Sequence, residues 1–156
     1  QRHTLQVDAP ELLRRCQADA VDAALLVANC PVCHQSLSLM ARCLEAAGIA
    51  TVLLGAAKDI VEHVGVPRLL FSDLPLGNAA GLPHDEASQD LTLQLALQVL
   101  QSAPASRTTV QSPLRWPDPA WRDDYLNLSR LDEAAARSER AQFDSAAAVA
   151  RELRSR

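Results

Sequence analysis

Apolar runs and amphipathic stretches alternate along the first hundred residues of the chain. Residues 23–28 are continuously apolar, which is typical of a strand covered on both faces in a parallel sheet. Apolar positions then recur at helical spacing between Leu37 and Leu44, Gly48 follows at a position that favours a left-handed cap, and residues 49–54 form a second apolar run. This order predicts a strand–helix–strand unit with a right-handed crossover.

Further elements are predicted on both sides of this unit. Asp8 followed by Pro10 predicts the capped start of a first helix. Residues 59–65, 66–71 and 85–100 have the patterns of a short helix, a third strand and a long amphipathic helix. The sequence therefore predicts an α/β fold: a three-layer, Rossmann-like arrangement with a mostly parallel sheet, flanking helices and a C-terminal helical extension.

Composition divides the chain into three parts. Residues 1–102 form the predicted α/β domain, and residues 103–128 form an arm rich in Pro, Ser and Thr, which Trp116 and Trp121 are expected to pin to the main body. Residues 129–156 predict a terminal helix that starts at Ser129. Its apolar face is thin, so we expect it to lie on the main body or on a partner chain.

Charge and cysteine usage exclude several classes of function. The net charge is −4 at pH 7, which argues against a nucleic-acid surface and a polybasic membrane anchor. No apolar run approaches the roughly 20 residues that span a bilayer. The chain has only four cysteines, too few for a disulfide-rich secreted scaffold. We therefore expect a reducing compartment, the cytoplasm.

The segment Asn29-Cys30-Pro31-Val32-Cys33-His34 contains the candidate catalytic residues. It lies where a predicted strand gives way to a helix. Exposed amides and the helix dipole at that junction favour a thiolate at Cys30. Cys33, one turn along, is placed to attack a mixed disulfide formed at Cys30. His34 is either a nearby acid or base, or a neutral histidine facing solvent.

Other uses of this motif remain open from the residues alone. Cys-x-x-Cys-His is also the attachment signature of c-type haem, although the only methionine, Met40, lies in the same predicted helix. Zinc needs four ligands, and no second Cys-x-x-Cys is present. The pair could be buried and inert. The alternative functional hypothesis is a binding module in which Cys30 and Cys33, with His34, capture a soft metal such as Cu(I), Zn(II) or Hg(II).

Polar residues near two predicted strand ends are candidates for substrate binding. Asn29 directly precedes Cys30, and Asp73, Gly77 and Asn78 follow the third strand. Loops after parallel strands project toward the same edge of a sheet. The alternative is a surface turn that uses Pro and Gly for its geometry.

Three stretches of the sequence belong together as a pattern: residues 29–34, Leu-Glu-Ala-Ala-Gly-Ile-Ala-Thr-Val at residues 44–52, and Pro-Arg-Leu-Leu-Phe-Ser-Asp-Leu-Pro-Leu-Gly-Asn at residues 67–78. In combination they resemble the selenoprotein B family. The family comprises component B of glycine/sarcosine/betaine reductase, its D-proline reductase counterpart and cysteine-containing relatives. The combination carries the resemblance, since Cys-x-x-Cys alone is not specific.

The resemblance implies an oxidoreductase that uses a dithiol–disulfide couple. Cys30 takes the position of the family's redox selenocysteine and Cys33 that of the resolving thiol. The implied reaction is reductive cleavage of a carbon–nitrogen bond in a small amino acid or derivative. The chain itself needs no cofactor; a pyruvoyl or other carbonyl group is expected on a partner subunit. A thioredoxin-like protein is the implied reductant, and a homo-oligomer is a further expectation. Relatives carry an additional N-terminal half, so we expect the part of the pocket that this half completes to be either absent or supplied by another chain.

Overall fold

The computed structural model describes residues 1–126, with side chains to residue 123, and positions 137, 138, 140, 141, 144, 145 and 148. The chain forms two compact units, Gln1–Pro117 and Asp118–Arg156. The predicted terminal helix, residues 129–156, lies outside the described residues apart from these seven positions. In the described part of the chain, no helix is long and apolar enough to cross a membrane.

The first unit is built on a four-stranded sheet. Its strands are β1 Ala23–Val27, β2 Ala50–Gly55, β3 Arg68–Phe71 and β4 Thr108–Gln111, which pair in parallel in the order β1-β2-β3-β4. The helices are α1 Ala9–Ala18, α2 Pro31–Ala46, α3 Lys58–Val64 and α4 Glu86–Ser102; α5 Trp121–Leu126 belongs to the second unit. The segment predicted as an arm thus supplies β4, which its composition did not indicate.

Helices cover both faces of the sheet, which confirms the predicted three-layer α/β fold. Alternate residues of each strand point to opposite faces. Leu53 of β2 joins Ala41 of α2 and Val61 of α3 in one core cluster. Its neighbour Val52 joins Ala96 of α4 in the other cluster. The predicted apolar runs therefore supply both cores.

The connections between strands do not all have the same hand. Each strand follows its predecessor in one direction across the sheet. The connections through α2 and α3 cross one face, whereas the connection through α4 crosses the opposite face. The α4 crossover consequently has the opposite hand to the other two, a departure from the strong preference for right-handed connections.

β1 is an edge strand, and its apolar run is only partly covered. Within the described residues it pairs with β2 alone. Since α4 packs on β2 and β3, Leu25 and Val27 remain 36% and 39% exposed on that face. The prediction of a strand covered on both faces is wrong for β1, whereas residues 51–55 of β2 are all buried. An apolar run does not reveal whether a neighbouring strand and helix are present on each side.

Helix ends follow the sequence signals at most positions. Gly48 and Gly65 have φ angles of +87° and +81° and end α2 and α3 in the left-handed conformation, as predicted for Gly48. Asp8 is an exception, because it has helical dihedral angles and its side chain caps no amide. A π-helical turn, Thr4–Asp8, precedes α1 directly, so the predicted capped start at Asp8 is wrong.

A partly buried ion pair ties α2 to the amino ends of β2 and β3. The Glu45 Oε1 atom accepts hydrogen bonds from Thr51 Oγ1 at 2.9 Å and from Arg68 Nη1 at 2.6 Å. The two charged side chains are only 22% and 21% exposed. Removing the carboxylate leaves a partly buried guanidinium without its counter-charge.

We therefore expect Glu45→Ala to lower the free energy of unfolding by about 2–3 kcal/mol. Urea titration monitored by circular dichroism measures this change. The control is Glu11→Ala, because Glu11 forms exposed pairs with Arg14 and Arg15. That variant should lose far less stability than Glu45→Ala, because solvent screens its exposed ion pairs. Equal losses in the two variants would contradict a specific role for Glu45.

Candidate active site

Cys30 caps the amino end of α2 at the carboxyl edge of the sheet. The N–H of Ala28, just beyond β1, donates to the carbonyl of Leu54 at 2.9 Å, and the exposed Asn29 then leads to Cys30. Cys30 has extended dihedral angles, φ −125° and ψ 163°, and its Sγ accepts the backbone N–H of Cys33 at 3.2 Å. A cysteine thus occupies the position where Ser, Thr, Asp or Asn is usual.

Cys30 and Cys33 form a disulfide with a Cα–Cα distance of 5.0 Å. Both cysteines are half-buried, while Pro31 and Val32 between them are exposed. When the pair is reduced, the Cys33 N–H and the dipole of the 16-residue helix both favour negative charge on Cys30. The arrangement is therefore suited to reversible dithiol–disulfide chemistry.

His34 links the cysteine turn to the loop after β2. Its side chain is fully buried. The Nδ1 atom lies 2.7 Å from the carbonyl oxygen of Cys30, and Nε2 lies 2.9 Å and 3.1 Å from the backbone N–H groups of Ala56 and Ala57. Because Nε2 accepts from two N–H groups, it carries no proton, and the Nδ1–H donates to the carbonyl oxygen of Cys30.

This arrangement changes the interpretation of His34. The expectation of a solvent-facing histidine is wrong. An acid or base role would require the loss of at least one of these hydrogen bonds, so the geometry favours a positioning role. Gly55 makes room for the ring, because a Cβ atom at residue 55 would lie 2.9 Å from His34 Cδ2.

The loop after β3 is held by its own buried residues. Ser72 donates its N–H to the carbonyl of Gly55, and both Ser72 and Leu74 are buried. The side chain of Asn78 donates to the carbonyl of Pro75 at 3.1 Å, which closes a turn. Asp73 is half-buried and has an interaction partner of its own.

The structure brings some of the candidate site residues together and separates others. Asn29, Cys30, Cys33 and His34 are joined in one turn. Gly77 and Asn78 line a separate cavity of about 470 Å³, formed by the 77–83 loop and Gln89. It shares no lining residue with the groove between α2 and α3 that Pro31 and Val32 line. Binding of substrate by Asn29, Asp73, Gly77 and Asn78 stays a prediction.

An open groove of about 520 Å³ lies between α2 and α3 beside the disulfide; it reaches Pro31 and Val32 between the two cysteines, whereas neither Cys30 nor Cys33 lines it. It is lined by Pro31, Val32, Gln35, Asp59, Ile60, His63 and Val64. No motif in the sequence of α3 indicates a function for its residues. The available signal was their position, because α3 begins just after the carboxyl end of β2, where crevices of parallel sheets form.

The described residues offer little for a metal centre. They contain no cluster of three or more His, Cys, Asp or Glu side chains able to hold a metal ion. Both ring nitrogens of His34 are engaged, so in this conformation His34 cannot join Cys30 and Cys33 as a ligand. Cys16 and Cys43 are free, half-buried thiols on α1 and α2.

A parallel sheet with a cysteine pair at the start of a helix places the chain among α/β proteins with a Cys-x-x-Cys site. Comparisons with known proteins show its family. No family model and no solved structure matches the chain. The chain is 31% identical to D-proline reductase subunit gamma of Acetoanaerobium sticklandii over 107 residues, which are 69% of this chain and 44% of the relative. The chain belongs to the selenoprotein B-like family of proline reductase relatives, as its motifs predicted, and spans less than half of that relative's length.

Proposed function

We propose that the chain is the dithiol-bearing part of a reductase, with Cys30 as the nucleophile and Cys33 as the resolving thiol. The observation that carries the proposal is the position of Cys30 at the start of α2, bonded to the Cys33 N–H and able to pair with Cys33. Family membership supports the same chemistry, because the relative is a subunit of a reductase.

The reaction balances as a two-electron reduction. The substrate's carbon–nitrogen bond takes up two electrons and two protons and is cleaved to a C–H and an N–H bond. Cys30 and Cys33 lose the same electrons and protons and become the disulfide. The substrate is a small amino acid or derivative, with D-proline as the first candidate because of the relative's name.

The proposal places the remaining components outside this chain. A partner subunit completes the pocket and carries a carbonyl-bearing group, such as a pyruvoyl group, and no step assigned to the residues here passes through that group. A dithiol protein returns the disulfide to the dithiol state. Such a cycle suits the cytoplasm, where thiols are kept reduced.

The order of thiol reactivity tests the proposal. In the reduced protein, Cys30 should be alkylated first at mildly acidic pH, because its thiolate is favoured at the helix start. Cys33 lies within the first turn, and Cys16 and Cys43 lie near the carboxyl ends of α1 and α2, where the helix dipole disfavours a thiolate, so these three should react later. Sub-stoichiometric iodoacetamide followed by peptide mapping gives the order.

Mass spectrometry of the oxidised protein supplies the second half of this test. Oxidation should join Cys30 to Cys33 in one peptide and leave Cys16 and Cys43 open to alkylation. Label that appears first on Cys16 or Cys43, or an oxidised protein with no Cys30–Cys33 bond, would refute the proposed site.

A further inference from the structure

The groove beside the disulfide is open and has an apolar wall. Val32, between the two cysteines, is 70% exposed, the largest value among the exposed large hydrophobic side chains of the described residues. Ile60 and Val64 on α3 face the same groove. An exposed apolar side chain that adjoins a reactive disulfide is suited to contact with another polypeptide.

The residues that line the groove include one carboxylate, Asp59, one histidine, His63, and no Lys or Arg. Asp59 is exposed on its rim and has no hydrogen bond or ion pair within the described residues. The neighbouring Lys58 is already occupied, because its Nζ atom lies 3.8 Å from Glu62 and 5.9 Å from the centre of the Phe71 ring. A ligand with a cationic group beside an apolar group complements these walls.

We propose that this groove docks the cysteine-bearing segment of a dithiol protein that reduces the Cys30–Cys33 disulfide. The segment carries an apolar side chain against Val32 and Ile60 and a basic side chain against Asp59. The groove is continuous with the cysteine site, because Pro31 and Val32 both line the groove and connect the two cysteines. The inference rests on the proposed function and adds the surface through which the thiols are regenerated.

The redox step is the reverse of resolution by Cys33. A thiolate of the incoming segment attacks Sγ of Cys30, forms a mixed disulfide and releases Cys33, which takes up a proton. The second thiol of the segment then attacks its own mixed-disulfide sulfur and releases Cys30. Two electrons and two protons pass to the protein, and the incoming dithiol becomes a disulfide.

Synthetic dithiol peptides test the docking surface on the oxidised full chain. The first peptide carries Leu and Arg beside a Cys-x-x-Cys, the second has Glu in place of Arg, and the third has Ser in place of Leu; dithiothreitol is the reagent without flanking groups. At low salt we expect the first peptide to reduce the disulfide about fivefold faster than the second, because one exposed charge contact is worth up to roughly 1 kcal/mol. The third peptide should also be slower than the first.

Matched charge variants locate the effect. Asp59→Lys should abolish or invert the preference for Arg over Glu, whereas Asp90→Lys, the same exchange at an exposed position of α4, should keep it. Dithiothreitol should reduce the natural chain and both variants at equal rates. No preference in the natural chain, or equal effects of the two variants, would overturn the docking surface but leave the dithiol chemistry intact. An oxidised protein without a reducible Cys30–Cys33 bond would instead overturn the proposed function.

Discussion

Replacing Cys30 by serine should lower turnover of the reconstituted reductase by at least about a thousandfold, because the hydroxyl that remains is a poor nucleophile and cannot form a disulfide. Replacing Cys33 by serine should also stop turnover, but at a different stage. Cys30 can still react in that variant, and the mixed adduct should accumulate because no thiol lies one turn along to displace it.

The two variants are distinguished by mass spectrometry of the protein after incubation with substrate and reductant. We expect an adduct on Cys30 in Cys33→Ser and none on Cys33 in Cys30→Ser. Cys16→Ser and Cys43→Ser are the matched controls, since both remove a free thiol outside the site. If Cys30→Ser and Cys33→Ser both keep full thiol-dependent activity, the assignment of the site is wrong.

The second large effect is expected at His34. Replacement by alanine leaves the N–H groups of Ala56 and Ala57 without their acceptor, removes one of the two hydrogen bonds to the Cys30 carbonyl and opens a cavity beside Gly55. The free energy of unfolding should fall by about 3–5 kcal/mol. His34→Gln should lose less, because its amide can both accept and donate a hydrogen bond.

A purely structural role and a positioning role are separated by the reactivity of Cys30. In folded His34→Gln protein, the iodoacetamide rate of Cys30 should change while that of Cys43 does not. Gly55→Ala provides an independent test, because its new methyl group presses on the His34 ring and leaves His34 itself in place. Unaltered Cys30 reactivity in both variants would show that His34 supports the fold alone.

The elements around the site were predictable where a local signal specifies them. The apolar runs identified β2 and β3, and the helical spacing from Leu37 to Leu44 placed the start of α2 at the cysteine motif. The position of Cys30 followed from this, since a strand that leads directly into a helix places the connecting residue at the edge of the sheet. These signals depend on neighbouring residues only.

The remaining features depend on distant parts of the chain. His34 is buried because Gly55, Ala56 and Ala57 surround it after β2, and nothing near residue 34 in the sequence indicates this. β4 forms because Arg68–Phe71 offers it a strand to pair with, although its own segment is rich in turn residues. The crossing of α4 to the other face of the sheet is likewise a property of the assembled layers.

The bonds that fix the cysteine turn have a consequence for the order of folding. They join residues 28–34 to residues 54–57, with sequence separations of 22 and 23 residues for the His34 bonds. All of these contacts lie within residues 28–57, which are synthesised before α4 and β4, and chains fold from the amino terminus as they are synthesised. We therefore expect the two thiols to acquire their geometry before α4 and β4 leave the ribosome. The nascent chain is then already open to oxidants and thiol adducts at Cys30.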